Sequence, residues 1–368
     1  MKTIVLIDYD ISVLGGVEKV TEQLANKLSN NFEVVVISLN KTNDIIPYSF
    51  DSKIKIIFSS NNKNERLRDT IKRNYKSLNK IFKAYNISLA ICMGHYSSFV
   101  TLIAKKFRKI KIINCDHGAL INQYDDKKMV FIRKFNYLFS THTVLLTNKN
   151  KADYIKLMHA KENKITVIYN SINKKLVLNG KKAKYNEKSK KIITIGRLTS
   201  EKGFDMLIRV ASKLKKITNI NWQWDIYGDG PLKEEIEKEI EKNRLSKFVL
   251  MKGQNNNVIE LLNNYAFYVL PSYREGLPIV LLEAKAYKLP IVSFDVDTGP
   301  REIIEDGKNG FLIEKYNIDL MAKKIKELLE SQEIRQDFSK NSAIGLEKFN
   351  EEKIIGDWIE LIEKITKE

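Results

Sequence analysis

Residues 191–203 read KIITIGRLTSEKG, a short β-branched run followed by a loop with a glycine at each end. The run Lys191–Ile195 has the composition of a buried parallel strand, and the loop carries Arg197 and Lys202 five residues apart. A guanidinium offers a bidentate fork, an ammonium offers a point charge, and the start of a helix adds unpaired amides. The stretch therefore predicts a strand–loop–helix unit that clamps a diphosphate.

Strand–helix alternation extends from this stretch in both directions. Further strands are predicted at Thr3–Ile7, Glu33–Ser38, Leu89–Met93, Lys111–Asn114, Thr143–Leu146, Ile165–Ile168, Trp222–Tyr227, Phe248–Met251, Tyr265–Leu270, Pro290–Phe294 and Phe311–Ile313. Longer helical patterns lie between them, notably Val17–Leu28, Leu232–Lys242 and Pro278–Tyr287. This order is typical of α/β folds with parallel sheets covered by helices on both faces.

The polar, lysine-rich stretch Asn179–Lys190 interrupts the alternation and is predicted to be a linker. We therefore expect two doubly wound, Rossmann-like domains, at residues 1–180 and 181–348, facing each other across a cleft. Residues 349–368 contain the amphipathic pattern Glu351–Lys367 with no strand after it. We expect this last helix to pack back on the first domain.

Composition restricts the class of protein. Of the 368 residues, 43% are hydrophobic and 29% are charged, a balance that excludes collagen-like and wholly disordered chains. No apolar run reaches the ~18 residues that a membrane span needs, and Asp8 interrupts the start, so no signal peptide is expected. The two cysteines cannot form a disulfide framework or a zinc site. These features predict a cytoplasmic protein.

The net charge of +18 is concentrated in the first half of the chain. Residues 1–180 hold 30 Lys and Arg against 14 Asp and Glu, whereas residues 181–368 hold 33 against 31. The asymmetry favours an anionic partner for the first domain. A solvated, lysine-rich surface of a compositionally biased protein is the alternative.

A second motif, SYREGLPIVLLEA at residues 272–284, contains two carboxylates at different places relative to a predicted helix. Pro278 suits the first turn of that helix, which puts Glu275 and Gly276 in the loop before it. Glu283 falls among apolar neighbours, where a carboxylate is costly unless it is paired or bound to a ligand. A pair of sugar hydroxyls would satisfy it.

Other motifs indicate weaker alternatives. Gly15 and Gly16 open a predicted helix and allow close approach of an anion, but they do not form Gly-x-Gly-x-x-Gly, so a dehydrogenase is poorly supported. The pairs Asp8/Asp10 and Asp295/Asp297 could hold Mg²⁺, or Asp8 could start an aspartyl-phosphate phosphatase. We interpret both acidic pairs as decoys.

The chain resembles the retaining glycosyltransferases of family 4, which have the GT-B fold, along essentially its whole length. The motifs that carry the resemblance are Gly15-Gly16, Val167–Ile172, Gly196–Gly203, Tyr227–Pro231 and the Glu275-x7-Glu283 spacing. Residues 294–304 look like a subgroup that acts on UDP-hexoses in capsule, lipopolysaccharide or teichoic acid assembly.

The resemblance implies roles for individual residues. The first domain would bind the acceptor and the second the nucleotide sugar, with Arg197 and Lys202 on the diphosphate and Glu283 on the ribose hydroxyls. Glu275 would contact the transferred sugar, near the amides of Gly276 and Leu277. His117 falls where the family has a histidine facing the donor sugar, although a purely structural histidine is the alternative.

We therefore expect a retaining, metal-independent transferase that moves a hexose or N-acetylhexosamine from a UDP-sugar to a lipid-linked or oligosaccharide acceptor in bacterial surface polysaccharide assembly. No cofactor and no nucleic-acid partner are expected. A UDP-sugar epimerase of similar architecture is one alternative. A basic nucleic-acid-binding protein is another, disfavoured because the basic residues are not interleaved with an RNA-binding aromatic motif.

Two basic clusters in the first half favour an anionic membrane surface as a further partner. The first cluster contains Lys63, Arg66, Arg68, Lys72, Arg73, Lys76, Lys80 and Lys83, with Leu67, Ile71, Leu78, Ile81 and Phe82 among them. The second contains Lys127, Lys128, Arg133 and Lys134 around Met129, Val130, Phe131, Ile132 and Phe135. We expect peripheral association with the inner face of the cytoplasmic membrane, unless the apolar residues face the core.

Overall fold

Two parallel β-sheets organise the chain in the computed structural model, which describes residues 2–63, 66–105, 109–255 and 257–367. Each sheet belongs to a separate compact unit. The first unit comprises Met1–Asn170 and Glu352–Glu368, and the second comprises Ser171–Glu351. The first unit is therefore built from two segments of the chain.

The first unit alternates strands and helices. Its elements are β1 (Thr3–Asp8), α1 (Gly16–Leu28), β2 (Glu33–Ser38), β3 (Lys55–Phe58), α2 (Leu67–Ala84), β4 (Leu89–Met93), α3 (His95–Lys105), β5 (Lys111–Asp116), α4 (Lys127–Phe139), β6 (His142–Leu145), α5 (Asn148–Met158) and β7 (Ile165–Val167). The strands form one parallel sheet in the order β3-β2-β1-β4-β5-β6-β7.

The second unit repeats this plan. Its elements are α6 (Lys174–Lys182), β8 (Lys191–Ile195), α7 (Phe204–Ile217), β9 (Gln223–Tyr227), α8 (Lys233–Lys242), β10 (Val249–Gly253), β11 (Phe267–Leu270), α9 (Ile279–Ala286), β12 (Ile291–Phe294), α10 (Pro300–Ile303), β13 (Gly310–Ile313), α11 (Ile318–Glu330) and α12 (Gln332–Lys340). The helix α13 (Glu351–Lys367) ends the chain. The sheet order is β10-β9-β8-β11-β12-β13, again all parallel.

Both faces of the first sheet are buried, as the β-branched composition of its strands requires. Ile4 and Leu6 of β1 pack on one face with residues of α1 and α13. Val5 and Ile7 pack on the opposite face with residues of α2 and α3. The alternation of side chains along a strand thus gives the first unit two cores, and the predicted doubly wound α/β fold is confirmed.

The sequence interpretation needs correction between the two sheets. The stretch predicted as the linker, Asn179–Lys190, overlaps α6. A Cβ on Gly180 would lie 2.0 Å from the carbonyl oxygen of Ala286, so α6 packs closely on α9. The boundary between the units therefore lies at 170/171, ten residues before the expected one, and the chain leaves the second unit at 351/352 rather than 348/349.

Candidate active site

The loop after β8 has a fixed shape because of the glycine that ends it. Lys202 closes a short 3₁₀ turn, and Gly203 follows with φ of +68° before α7 begins. A Cβ at Gly203 would lie 2.1 Å from the carbonyl oxygen of Pro271, at the end of the neighbouring strand β11. Only glycine fits this position, which holds the loop after β8 against the loop after β11.

Lys202 and Glu275 form an ion pair between these two loops. The Lys202 Nζ lies 2.8 Å from Glu275 Oε1 and 3.0 Å from Oε2, and the Ser272 hydroxyl donates to Oε1 at 2.6 Å. Glu275 is 8% exposed, and its own carbonyl accepts a hydrogen bond from Thr298 Oγ1. Both the carboxylate and the backbone of Glu275 are therefore held in place.

The pair lies at the point where the strand order of the second sheet reverses. The first strand of this sheet, β8, lies between β9 and β11, so the connections leaving β8 and β11 run to opposite sides. In open α/β sheets this reversal opens a crevice at the carboxyl ends of the strands, where ligands bind. The two predicted motifs are the two loops that border the crevice.

The loop after β9 packs on the same place. A Cβ at Gly228, where φ is +147°, would lie 1.9 Å from the carbonyl oxygen of Gly196. The Leu198 amide donates to the carbonyl of Asp229 at 2.9 Å. Arg197, between Gly196 and Leu198 in this loop, is exposed.

Glu283 lies within α9 and is 2% exposed, as its apolar neighbours predict. Burial raises the pKa of the nearby Tyr268 hydroxyl, and the charges of Glu275 and Glu283 raise it further. That hydroxyl donates to the Ile195 carbonyl at 2.8 Å, so it ties β11 to the end of β8. Leu277 is buried in the same loop as Glu275, and Gly276 is partly exposed.

The first unit holds the remaining predicted site residues. Gly15 and Gly16 stand at the start of α1, and the Gly15 amide donates to the Tyr48 hydroxyl at 2.8 Å. His117 follows β5, and its buried Nε2 has no hydrogen-bond partner among the described residues. Burial lowers the pKa of His117 to about 4, so its imidazole is neutral at pH 7.

Sequence reasoning missed the group of side chains beside His117. Asp116 accepts from Arg133 Nε at 2.7 Å and from the Tyr154 hydroxyl at 2.6 Å, and the Gly118 amide donates to its other oxygen at 3.0 Å. Although burial opposes ionisation, the Arg133 guanidinium holds the pKa of Asp116 well below its usual range. These residues come from β5, α4 and α5, so only the tertiary fold reveals the contact.

The acidic pairs have structural partners. Asp10 accepts from the Ser12 hydroxyl and the Thr42 hydroxyl, both at 2.6 Å, and Asp8 accepts from Thr21 Oγ1. Asp295 pairs with Arg301, and Asp297 pairs with Lys315. Within the described parts of the chain, no group of three or more His, Cys, Asp or Glu side chains is arranged to hold a metal ion.

Comparison with known proteins gives this arrangement a family. The family model described as "Glycosyltransferase Family 4" matches residues 14–176, and that described as "Glycosyl transferases group 1" matches residues 179–344. The matches cover both units and include both loops of the ion pair. The chain belongs to the family 4 glycosyltransferases, and the predicted resemblance is confirmed.

Individual relatives indicate the kind of reaction that similar proteins catalyse. The chain is 28% identical to the amylovoran biosynthesis glycosyltransferase AmsD of Erwinia amylovora, over 98% of this chain and 99% of the relative. It is 26% identical to an N-acetylgalactosaminyltransferase of Campylobacter jejuni named for a diphospho-undecaprenol substrate, with 93% and 94% covered. These relatives favour glycosyl transfer over the epimerase and nucleic-acid-binding alternatives.

Solved structures show the same fold. TarM of Staphylococcus aureus, in complex with UDP, fondaparinux and α-GlcNAc-glycerol, gives a TM-score of 0.81 at 18% identity, with 98% of this chain and 99% of that chain covered. Sucrose-phosphate synthase of Thermosynechococcus elongatus gives 0.86 at 17% identity, covering 100% and 99%. The fold is therefore GT-B.

Proposed function

We propose that this glycosyltransferase moves a hexose or N-acetylhexosamine from a UDP-sugar to a lipid-linked or oligosaccharide acceptor in bacterial surface polysaccharide assembly, with retention and without a metal ion. The observation that carries the proposal is the Lys202–Glu275 pair at the reversal of the second sheet, with the buried carboxylate of Glu283 nearby in sequence. The named activities of the relatives, several of them hexosaminyl or hexosyl transfers, support the same class.

Some of the site residues contact the diphosphate leaving group, and others contact the sugars. Arg197, Lys202 and the loop amides stabilise the diphosphate as it takes up negative charge, which is a large electrostatic contribution to catalysis. Glu283 accepts from the ribose hydroxyls, and Glu275 contacts the transferred sugar. In the first unit, neutral His117 offers its unpartnered Nε2 to a sugar hydroxyl.

Retention follows from attack on the face that the diphosphate leaves. The acceptor oxygen bonds to the anomeric carbon as the bond to the UDP oxygen breaks, and the departing phosphate takes the acceptor's proton. Two cationic side chains on the loop after β8 neutralise the diphosphate, which is why we propose that no metal ion is needed.

Release of UDP from a panel of UDP-sugars by the purified protein tests the proposal. We expect release with at least one UDP-hexose or UDP-N-acetylhexosamine, unchanged by EDTA, and a product with the anomeric configuration of the donor by NMR. A strict requirement for Mn²⁺ or Mg²⁺ would contradict metal independence, and an inverted product would contradict retention.

We further propose that α4 attaches the protein to an anionic membrane surface. One stripe of α4 carries exposed residues that recur at helical spacing: Lys127, Lys128, Phe131, Lys134, Leu138 and Phe139. Phe131, Leu138 and Phe139 are 60%, 54% and 58% exposed, which is unusual for side chains of this size. Lysines beside exposed apolar groups match a negatively charged interface.

The structure corrects the composition of the two clusters predicted for this surface. Arg133 is 1% exposed and paired with Asp116, so it is not a surface cation. Met129 and Ile132 are buried, and Leu78 and Phe82 of α2 belong to the core. We therefore assign the membrane contact to α4 rather than to α2.

Among the described residues, no helix combines the length and the apolar character that crossing a membrane requires.

Flotation with liposomes tests the proposed contact of α4 with a membrane surface. The protein should bind anionic vesicles at low salt and dissociate in high salt, because exposed charges are screened. The Phe131→Ser/Phe139→Ser variant should bind more weakly than a Lys233→Gln control. Equal binding of variant and control would refute the assignment to α4.

A further inference from the structure

The second unit contains a cavity of about 530 Å³ that the proposed reaction does not use. It lies beside β8 and β9, and Lys191, the first residue of β8, lines it. The candidate donor loop follows the other end of the same strand. At about 3.3 Å per residue, Lys191 lies roughly 16 Å from that loop, while the lining extends along β9 to Tyr227, which pairs with Ile195 at the loop end of β8.

The rim of this cavity is cationic. Lys188, Lys191 and Lys252 line it and are exposed, whereas the neighbouring Lys190 donates its ammonium to the Leu329 carbonyl. Within the described residues, the first three form no ion pair. Residues 181–368 as a whole are nearly neutral, with 33 basic against 31 acidic residues, so a local surplus of three ammonium groups is distinctive.

The floor of the cavity is a buried cluster of hydroxyl and carboxylate groups. The Tyr265 hydroxyl donates to Asp225 Oδ2 at 2.8 Å and lies 3.1 Å from the Tyr227 hydroxyl. Asp225, Tyr265 and Tyr227 are 2%, 4% and 8% exposed. Carboxylate and phenol oxygens are suited to recognising hydroxyl groups, since both kinds of group can accept their hydrogens.

We propose that this cavity is a second binding site, for a phosphorylated polyol. The phosphate would contact the ammonium groups of Lys188, Lys191 and Lys252, and the polyol hydroxyls would contact Asp225 and Tyr265. The volume lies within the range of small-molecule sites. Asp225 also accepts from Gln223 Nε2 at 2.6 Å, so the floor is a hydrogen-bonded network, and further hydrogen bonds to it would favour a ligand with hydroxyl groups over a bare anion.

Calorimetric titration with sorbitol 6-phosphate, in the presence of saturating UDP, tests the site in the full-length protein. We expect one molecule to bind, and sorbitol or inorganic phosphate alone to bind about tenfold more weakly or worse. The K188Q/K191Q/K252Q variant should lose about tenfold or more in affinity, because it loses charge-assisted hydrogen bonds. The matched control K233Q/K238Q/K247Q removes three exposed lysines from the same unit and should bind normally.

Three results would overturn the proposal. One is equal loss of affinity in the control, since any lysine would then serve. Another is abolition of binding by UDP in the wild-type protein, which would place the probe at the donor loop. The third is inorganic phosphate binding as tightly as sorbitol 6-phosphate, which would make the cavity a simple anion site. UDP release from UDP-sugars is measured separately, so failure here leaves the proposed function intact.

The source of the ligand is resolved by a second titration. A glycerol phosphate oligomer carries the same chemistry as a repeating phosphodiester of a glycan. Tighter binding of the oligomer assigns the cavity to a glycan chain, and tighter binding of sorbitol 6-phosphate assigns it to a free metabolite. The Tyr265→Phe variant removes one hydroxyl from the floor and should weaken the polyol phosphate several-fold, with inorganic phosphate unaffected.

Discussion

Glu275 and Glu283 are both buried carboxylates, but their surroundings give them different consequences when they are changed. Glu275 is held by Lys202 and Ser272 in a loop, whereas Glu283 lies within α9. We expect Glu283→Gln to weaken UDP binding by roughly tenfold or more, through loss of charge-assisted hydrogen bonds. Glu275→Gln should mainly lower kcat. Isothermal titration with UDP and steady-state kinetics separate the two effects.

The control for this pair is Glu234→Gln, an exposed residue of α8. It should change neither UDP affinity nor kcat. Identical behaviour of all three variants would refute the assignment of both carboxylates to the site.

Lys202 gives a second residue-scale prediction. Its ammonium is placed by Glu275 on the loop where the diphosphate is proposed to bind. Lys202→Met should lower kcat about a hundredfold, since one stabilising group for the leaving charge is lost. Lys233→Met, an exposed lysine of the same unit, is the matched control. A Lys202→Met protein with normal turnover would exclude the leaving-group role.

At the scale of elements, Gly203 joins the turn after β8 to α7 with φ of +68°. Gly203→Ala should destabilise the second unit by more than about 1 kcal/mol, because the left-handed backbone is strained and the methyl group meets Pro271. Gly356→Ala in α13 is the control, and its expected effect on the free energy of unfolding has the opposite sign. Outside its chain neighbours and the backbone of its own helix, no atom lies within 4 Å of the new Cβ, so the change should stabilise by about 0.5–1 kcal/mol. Urea unfolding measures both.

Two histidines that follow β4 and β5 are expected to make the free energy of unfolding depend on pH. Burial lowers the pKa values of His95 and His117 to about 4, with Asp116 opposing the shift of both and Arg133 reinforcing that of His95. Between pH 6.5 and 4 the unfolded chain therefore binds protons that the folded chain does not. The free energy of unfolding should fall as the pH falls through this window.

Asp8 partly offsets this trend, since burial raises its pKa to about 6 and the folded chain binds its proton first between pH 6 and 3.8. The test is urea unfolding across pH 4–7 with His117→Gln. Removing one histidine should reduce the slope by up to about 1.4 kcal/mol per pH unit. If the substitution leaves the slope of unfolding free energy against pH unchanged, His117 is not a neutral imidazole held in the folded protein.

The elements also show what sequence patterns can and cannot predict. Strands with β-branched composition, such as Glu33–Ser38 and Lys191–Ile195, were predicted with the bounds that the structure has. The edge strand β3 was missed because its four residues are too few to show a clear periodic pattern. The predicted linker Asn179–Lys190 overlaps the last four residues of α6, because the lysine-rich composition hides a helix end whose close fit depends on Gly180 meeting α9.

The candidate site also contains features that the sequence predicted and one that it did not. The motifs at residues 196–203 and 272–284 predicted Lys202 and Glu275 separately, and the sheet topology explains why they meet. The contact of Asp116 with Arg133 and Tyr154 joins three elements without a local motif, so no pattern in the sequence indicates it.

At the scale of the whole molecule, α13 completes a core that begins at the other end of the chain. Ile354, Trp358, Leu361, Ile362 and Ile365 are buried in the same cluster as Ile4 and Leu6, and Lys111 donates to the Ile365 carbonyl at 2.6 Å. Trp358→Ala should destabilise the first unit by about 3–5 kcal/mol. Glu360→Ala, on the exposed side of α13, should have little effect.

Limited proteolysis identifies the unit affected by Trp358→Ala. Fragments from residues 2–170 should disappear first, while fragments from residues 171–351 persist. Simultaneous loss of both sets would mean that α13 supports the molecule as a whole rather than the first unit.

The two-segment construction of the first unit has a consequence for the chain as it leaves the ribosome. When residue 170 has been made, one face of the first sheet still lacks α13, and roughly 200 more residues must be made before that helix is complete. At about 5–20 residues per second, that face waits for about 10–40 s. The nascent chain thus exposes the apolar surface that α13 later covers while the entire second unit is synthesised.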